Sequence, residues 1–528
     1  MLQSNLILLP SPGPDTLAII VPPTEGSAGD GLQISYQRLG DLVIRAQESL
    51  AQLGVAAGSR VAVALPNGVE FVVLFLALIR QRAVISPLNP DAKSNEQAEM
   101  LERIQPSWTI IPKNAEQSPV VDASKARHIA VAEFALGDTA QQVFLQRIAQ
   151  HNALPLYPVA LVAPHEVLPD DLVLLHYTSG TTGLPKAVGL THATILASVR
   201  ILIKAHALCP TDRTVIVAPF FHVGGTCSSL LCTLGSGGCI ILPRSLSGKF
   251  WHHFSEFGAT WYHAVPTMHR LLLSFPRPAK PVPIRFVRSG GSGISRNLIA
   301  QLERDLCCPV LEGYGMTETV QAVFCNRIGS AHRQAGHYPV PEEMEVKIRV
   351  PDGESFQLID QPEQTGEICV RGPCVISGYI GDPNANGEAF HDGYFRTGDL
   401  GTLHRDGQLQ VTGRIKEMIN KGGEKISPLE IEKILLAHEA IQQVACFKVP
   451  DEAYGEDIGV AIMLKPEYNL KPIDIKRFVR QESANFKVPK IVAFVDSIPT
   501  NRSGKYMRSS LAEQFGMVAA PRTTKVAA

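Results

Sequence analysis

Ten consecutive residues, Tyr177-Thr178-Ser179-Gly180-Thr181-Thr182-Gly183-Leu184-Pro185-Lys186, hold four aliphatic hydroxyls, two glycines and a lysine directly behind the strand-like run 172–177. Glycines let the backbone fold until several N–H groups converge, hydroxyls add donors, and the lysine adds a point charge. Together they make a cradle for a polyphosphate. It differs from G-x-x-x-x-G-K-[ST], because no Ser or Thr follows Lys186 and the glycines are spaced differently. A plain polar turn has no need of so many hydroxyls.

Further blocks carry a similar mixture of small, hydroxylic and charged residues. They are Ser289-Gly290-Gly291-Ser292, then Gly313-Tyr314-Gly315-Met316-Thr317-Glu318-Thr319 with Val320 and Gln321 behind it. Tyr394-Phe395-Arg396-Thr397-Gly398-Asp399, Gly413-Arg414-Ile415-Lys416 and Pro499-Thr500-Asn501-Arg502-Ser503-Gly504-Lys505 follow. In this order and at these separations, from Tyr177 to Lys505, the blocks resemble the adenylate-forming superfamily of acyl-CoA synthetases, luciferases and peptide-synthetase adenylation domains.

The resemblance implies an acid that attacks the α-phosphate of ATP to give acyl-AMP and pyrophosphate, after which a thiol takes the acyl group. ATP, Mg²⁺ and CoA are the implied cofactors. On this reading Thr178, Ser179, Gly180, Thr181, Thr182, Gly183 and Lys186 hold phosphates. Gly291, Ser292, Gly313, Tyr314 and Gly315 surround the nucleotide, with the Tyr314 ring a face for adenine. The Thr317 hydroxyl meets the α-phosphate and the Glu318 carboxylate is a hard ligand suited to Mg²⁺. Asp399, an acceptor only, either binds the two ribose hydroxyls or is the Asx of a turn. Arg414 contacts ribose or phosphate. Lys505 bridges two mutually repelling anions, the substrate carboxylate and the α-phosphate.

The same resemblance makes Lys416 a hinge and sets Gly422 and Gly423 along a pantetheine channel that a Cβ would obstruct. Lys425 and Lys487 would face the CoA phosphates. Phe220-Phe221-His222-Val223-Gly224-Gly225 resembles the aromatic block beside the acyl pocket, so Phe221, His222, Gly224, Gly290, Val320 and Gln321 become its lining. No Asp stands in that block to pair with an α-amine, which argues against an amino-acid substrate. The stretches 261–267, 422–428 and 485–489 look like the oxalate-CoA ligase branch, yet Gly224 and Gln321 replace the histidines expected there. A neutral-tailed monocarboxylic acid, aliphatic or aryl, is therefore expected, in a roomy and weakly polar pocket framed by Gly224, Gly290, Gly291 and Gly315. An acyl carrier protein is the alternative acceptor to free CoA, and oxalate the alternative acid.

These residues need elements to position them. Apolar runs at 60–65, 172–177, 214–218, 238–242, 260–264 and 284–288 alternate with helical patterns such as 69–80, as in a wound α/β sheet. Each run ends in a loop rich in Gly, Ser, Thr, Pro or His, and ligands in open parallel sheets sit beyond the carboxyl ends of strands. Past about residue 412 the pattern changes to a helix at 429–438, strands at 444–449 and 458–464, and a helix at 473–481. The expected architecture is α/β, with a large multi-layered N-terminal domain of wound β-sheets (1–412) that binds AMP and the acyl substrate. A small mobile α+β C-terminal domain (413–528) would carry Lys505.

Composition excludes other classes. With 49 Lys plus Arg against 50 Asp plus Glu the net charge is -1, so no basic field exists to hold nucleic acid. Affinity for ATP and CoA must then come from local loops. The ten cysteines form no C-x-x-C pair and read as reduced thiols. The longest apolar run, 71–79, falls well short of the roughly 20 residues of a membrane span. No basic residue precedes Arg38, and the C-terminus reads Lys525-Val526-Ala527-Ala528 where a peroxisomal address would read Ser-Lys-Leu. A cytoplasmic location is expected.

Overall fold

The helix Val69–Arg80 shows why the chain folds as it does. Every residue from Phe71 to Ile79 is buried, Glu70 lies in its first turn and Arg80 in its last, which complements the helix dipole at both ends. An apolar segment of this kind must be covered on all sides, and a sheet with helices on both faces does so.

The computed structural model describes residues 13–23, 31–137, 142–148, 158–163, 167–178, 185–278, 283–330, 333–353, 355–500 and 506–514. One sheet has seven strands in the order Val143–Arg147, Ala130–Leu136, Trp108–Pro112, Arg60–Val63, Val84–Pro87, Leu172–Thr178, Lys186–Thr191. Its five inner strands run parallel and its two edges antiparallel. A second sheet has eight strands in the order Phe324–Cys325, Val310–Tyr314, Phe286–Ser289, Trp261–Ala264, Arg213–Val215, Cys239–Ile241, Leu17–Val21, Leu32–Ser35. It too is parallel inside and closed at both ends by an antiparallel strand. The largest apolar core lies between these sheets and includes the 69–80 helix.

The strands anticipated at 60–65, 172–177, 238–242, 260–264 and 284–288 are present within a few residues. Two differ instructively. The run at 214–218 leaves the ladder after Val215. The strand Val310–Tyr314, whose apolar part 309–312 reads as strand-like in the sequence, runs on through Gly313 and Tyr314, because these pair with Cys325 and Phe324 as the chain turns back. Gly313 and Tyr314 are thus strand residues at the mouth of the sheet, not loop residues.

A third, antiparallel sheet joins His337–Pro339, Gln408–Arg414, Tyr394–Leu403, Thr365–Arg371, Glu345–Asp352 and Ser355–Ile359, with Phe390–His391 paired beside Tyr394–Leu403. These three sheets form a large N-terminal domain. The smaller C-terminal domain is built on Glu424–Ile426, Ile419–Lys421, Gly455–Leu464 and Ile441–Asp451, with Ile491–Phe494 parallel to Gly455–Leu464. The helices Pro428–Leu436 and Pro472–Glu482 pack on it, and its apolar cores are its own. Among the described residues no helix is long and apolar enough to cross a membrane.

Candidate active site

Thr178 and Lys186, at the near and far sides of the glycine-rich motif, pair across the antiparallel hairpin ladder of Leu172–Thr178 and Lys186–Thr191. Ser179, Gly180, Thr181, Thr182 and Gly183 lie outside the described residues. At the base of that hairpin the Lys186 ammonium sits over the Tyr379 ring, 4.7 Å from its centroid. The Tyr379 hydroxyl donates to Glu318 Oε1 at 3.0 Å. One distant and one local contact brace this row. The Ile380 N–H donates to Ala187 O at 2.9 Å, and the Asn386 side chain grips the Tyr379 backbone from both sides, accepting from its N–H at 2.6 Å and donating to its carbonyl at 3.0 Å.

Glu318 lies in the single 3-10 turn Thr317–Thr319 beyond the strand Val310–Tyr314. Its carboxyl is buried, and burial raises its pKa, while hydrogen bonding and the positive charges of Arg414 and Lys186 pull it back. Thr317 beside it is half-buried. Val320 follows at φ 64, a conformation a β-branched residue rarely adopts, and it is held there by complete burial. The distortion turns the backbone so that Gln321 O closes over Gly315, where a Cβ would stand 2.3 Å from that oxygen. Gly315 is therefore required for close backbone packing and does not open the pocket. Gly313 is likewise covered, its virtual Cβ 3.1 Å from Ala322 Cβ.

Asp399 and Arg414 are register partners on adjacent strands of the third sheet. Arg414 Nε donates to Asp399 Oδ1 at 2.6 Å, and the Tyr314 hydroxyl donates to Oδ2 at 2.8 Å. Asp399 is thus neither a free acceptor nor the Asx of a turn: it already joins the second sheet to the third. A carboxylate has about four lone-pair sites, so it keeps capacity for hydroxyl donors. The Tyr314 ring packs 5.9 Å from Phe324 and 5.8 Å from Tyr338. Arg414 remains 45% exposed at its side chain, with part of the guanidinium open.

Where the sequence leads one to expect the acyl pocket, Phe221 and His222 are in ring contact at 4.5 Å and lead into a π-helix, Gly224–Leu231. Helices of this type often mark functional positions. Virtual Cβ atoms on Gly224 and Gly290 would each stand 3.3 Å from the His263 imidazole. His263 is buried, its Nδ1 3.4 Å from Ser229 Oγ. Gln321 is engaged on both sides of its amide, donating to Ser198 Oγ at 2.8 Å and accepting from Ser228 Oγ. Arg288, the register partner of His263, is wholly buried on the same sheet face, with Nη2 donating to Ala322 O at 3.0 Å. The weakly polar pocket expected from its glycines is in fact bordered by an imidazole, an amide, serines and a guanidinium. Gly291 needs its φ of 83, and Ser292 follows half-buried.

In the small domain, Gly422 (φ 60) and Gly423 (φ 100) form the two-residue loop between Ile419–Lys421 and Glu424–Ile426. A hairpin loop with positive φ at both positions favours glycine for backbone reasons alone. Lys425 is exposed, while Lys487 Nζ is committed to Glu430 Oε1 at 2.5 Å, a carboxylate having reached it where a phosphate was expected. Lys416 is exposed in the 3-10 turn Ile415–Glu417 between the two domains. Lys505 lies outside the described residues. Tyr506 next to it bridges to Thr500, and Arg508 pairs with Glu417 at 3.2 Å and Glu432 at 3.0 Å, tying this segment to the turn that holds Lys416.

Tyr379, Asn386, His263 and Arg288 were not singled out from the sequence. A sequence signal existed for Arg288, a charge on the same face as Phe286 in an otherwise apolar strand. Tyr379 had none, because its partner Glu318 is 61 residues away. Among the described residues no group of three or more His, Cys, Asp or Glu could hold a metal. A lone buried carboxylate fits an ion brought in with substrate phosphates.

Comparison with known proteins identifies the family. Residues 12–380 match the family model described as AMP-binding enzyme, and residues 430–505 match its C-terminal domain. The chain is 40% identical to an acyl-CoA synthetase of Gibberella moniliformis, covering 95% of this chain and 96% of the relative. It is 37% identical to an oxalate-CoA ligase of Arabidopsis thaliana, covering 93% and 95%. ATP-bound MatB from Rhodopseudomonas palustris superposes with a TM-score of 0.82 at 26% identity, covering 96% of both chains. The chain belongs to the adenylate-forming, AMP-binding family of acyl-CoA synthetases.

Proposed function

We propose that the chain joins a carboxylic acid to CoA in two half-reactions, adenylation with release of pyrophosphate and then thioester formation with release of AMP. The observation that carries this reading is the convergence of Lys186, Tyr379 and Glu318 from three distant segments, beside the Asp399–Arg414–Tyr314 cluster. Two cations and two carboxylates are prepared there for a phosphorylated nucleotide, and neither half-reaction needs a protein nucleophile.

In this reading Lys186 and the preceding hairpin loop hold the β- and γ-phosphates, Thr317 donates to the α-phosphate, and Asp399 receives the ribose hydroxyls. Arg414 lies against the ribose or α-phosphate. Glu318 fits Mg²⁺, being a hard oxygen donor with one oxygen already oriented by Tyr379, and that ion supplies charge neutralisation on the phosphates. Lys505 offsets the repulsion between the incoming carboxylate and the α-phosphate. Between the half-reactions the unit 413–528 turns about Lys416 relative to 1–412. Lys505 is withdrawn, and the Gly422–Gly423 loop and Lys425 then border the thiol's path. Phe221 and His222 flank the acyl group. The enzyme works in the cytoplasm on free CoA.

The test separates the halves. Lys505→Ala is expected to lose adenylation by about 10²–10³-fold, as removal of one oriented donor typically does. It should still form thioester from supplied acyl-AMP and CoA. Equal loss in both halves, or thioester formation with a holo-carrier protein but none with CoA, would overturn these assignments.

A further inference from the structure

Arg288 is fully buried, and among the described residues no carboxylate pairs with it. Only Nη2 is satisfied, by Ala322 O at 3.0 Å, whereas Nε and Nη1 have no partner. A guanidinium keeps its proton and presents five donors, so an unmatched one in the interior costs several kcal/mol unless an anion reaches it. Nearby groups do not supply that anion. Burial pushes the thiols of Cys232 and Cys325 up to about 12 and about 11, which leaves both uncharged. His206 and His263, close enough to feel the guanidinium, are held neutral by burial first and by its charge second.

The position of this cation matters as much as its isolation. Arg288 pairs in register with His263 on one side and Leu311 on the other, with all three side chains on the sheet face beneath the π-helix Gly224–Leu231. Its guanidinium reaches the level of Gly313, whose virtual Cβ is 3.5 Å from Nη2. Gly224 and Gly290 put no side chain against the His263 ring in the same place, a virtual Cβ on either lying 3.3 Å from it. The backbone of Arg288 lies three residues of strand short of Tyr314 in register, roughly 10 Å below the end of that strand, after which the chain turns at Thr317, where adenylation is assigned. A group held there meets the far end of the acid and leaves the reacting carboxylate free.

Resting on the ligase reading above, we infer that Arg288 and His263 form an anion subsite at the floor of the acyl pocket, and that the preferred substrate is a dicarboxylic acid. The guanidinium receives the second carboxylate through Nε and Nη1, and the neutral imidazole, steadied by Ser229, offers one further hydrogen bond. Gln321, next to the Ala322 carbonyl that Arg288 meets, is held in place by Ser198 and Ser228. This replaces the neutral-tailed acid expected from the sequence.

Pyrophosphate release is measured with dicarboxylates of two to six carbons and with the monocarboxylates of matching length. The best dicarboxylate is expected to exceed its matched monocarboxylate in kcat/KM by about 100-fold, the range for a lost buried charged hydrogen bond. In Arg288→Met that preference should fall by a similar factor, mainly through KM for the dicarboxylate, and Arg288→Lys should restore part of it. If Arg288→Met does not fold, as judged by thermal unfolding and ATP binding, the wild-type panel decides alone. Release with monocarboxylates as good as or better than the dicarboxylates overturns the subsite and leaves the ligase reading intact. Release with no acid at all overturns both.

Discussion

On the nucleotide side, charges meet partners before any ligand arrives: Asp399 holds Arg414 and Tyr314, while Glu318 holds the Tyr379 hydroxyl beneath the Lys186 ammonium. On the acyl side, Arg288 is buried more completely and has only a backbone carbonyl. In the proposed reading the nucleotide is common to every such reaction, so its site is set by contacts within the chain that hold their shape before it binds. The acid varies, and a lone cation leaves its second partner to the substrate. The contrast teaches that pairing marks preorganisation, and that its absence marks a position still to be filled.

The largest way to break the comparison is at Glu318. Glu318→Gln keeps the shape of the side chain but removes the charge, and adenylation should fall by about 10²–10³-fold in pyrophosphate release. A loss below fivefold would mean that the paired side does not carry the chemistry.

A smaller effect is expected at Tyr379. Tyr379→Phe keeps the ring beneath Lys186 but takes the donor from Glu318, so kcat should drop by roughly tenfold, as for a hydrogen bond to a charged group. The sign of its pH effect follows from the lost bond. That hydrogen bond favours the carboxylate, so its removal raises the Glu318 pKa further, and the acid limb of the pH–rate profile should move to higher pH. An unmoved acid limb would make Tyr379 a packing residue only.

The smallest effect concerns stability. Glu312, one strand from Arg288, is also buried, with Gly336 N–H as a long donor at 3.3 Å, and burial raises its pKa to about 7. Unlike an arginine it can shed its charge. Its folded pKa lies above the unfolded value, so the folded state binds the extra proton between about 4.5 and 7, and stability falls as pH rises through that window. Glu312→Gln should therefore gain on the wild type between pH 5 and pH 8, by roughly 1–3 kcal/mol in denaturant unfolding. A difference independent of pH would show that Glu312 is ionised throughout.

How much was legible depends on how far apart the partners lie. The helix Val69–Arg80 and the strand Leu172–Thr178 are readable because each is a continuous apolar segment bounded by polar residues. The glycine-rich motif, Glu318, Asp399 and Arg414 are readable because they stand in short blocks whose residue types match one chemistry. The brace of Asn386 on Tyr379 is not readable, since it depends on a fold that brings 379 beside 188. Glycine misled for a similar reason. Gly315 suggested open space, yet it accommodates a returning backbone at 321–322 that only the three-dimensional register reveals.

The most direct measurement is ATP–pyrophosphate exchange in the absence of CoA. If an acyl-adenylate forms at the convergence of Lys186, Tyr379 and Glu318, labelled pyrophosphate should enter ATP only when a carboxylic acid is present, and Glu318→Gln should lose that exchange. Exchange without acid, or none until CoA is added, would contradict the central claim.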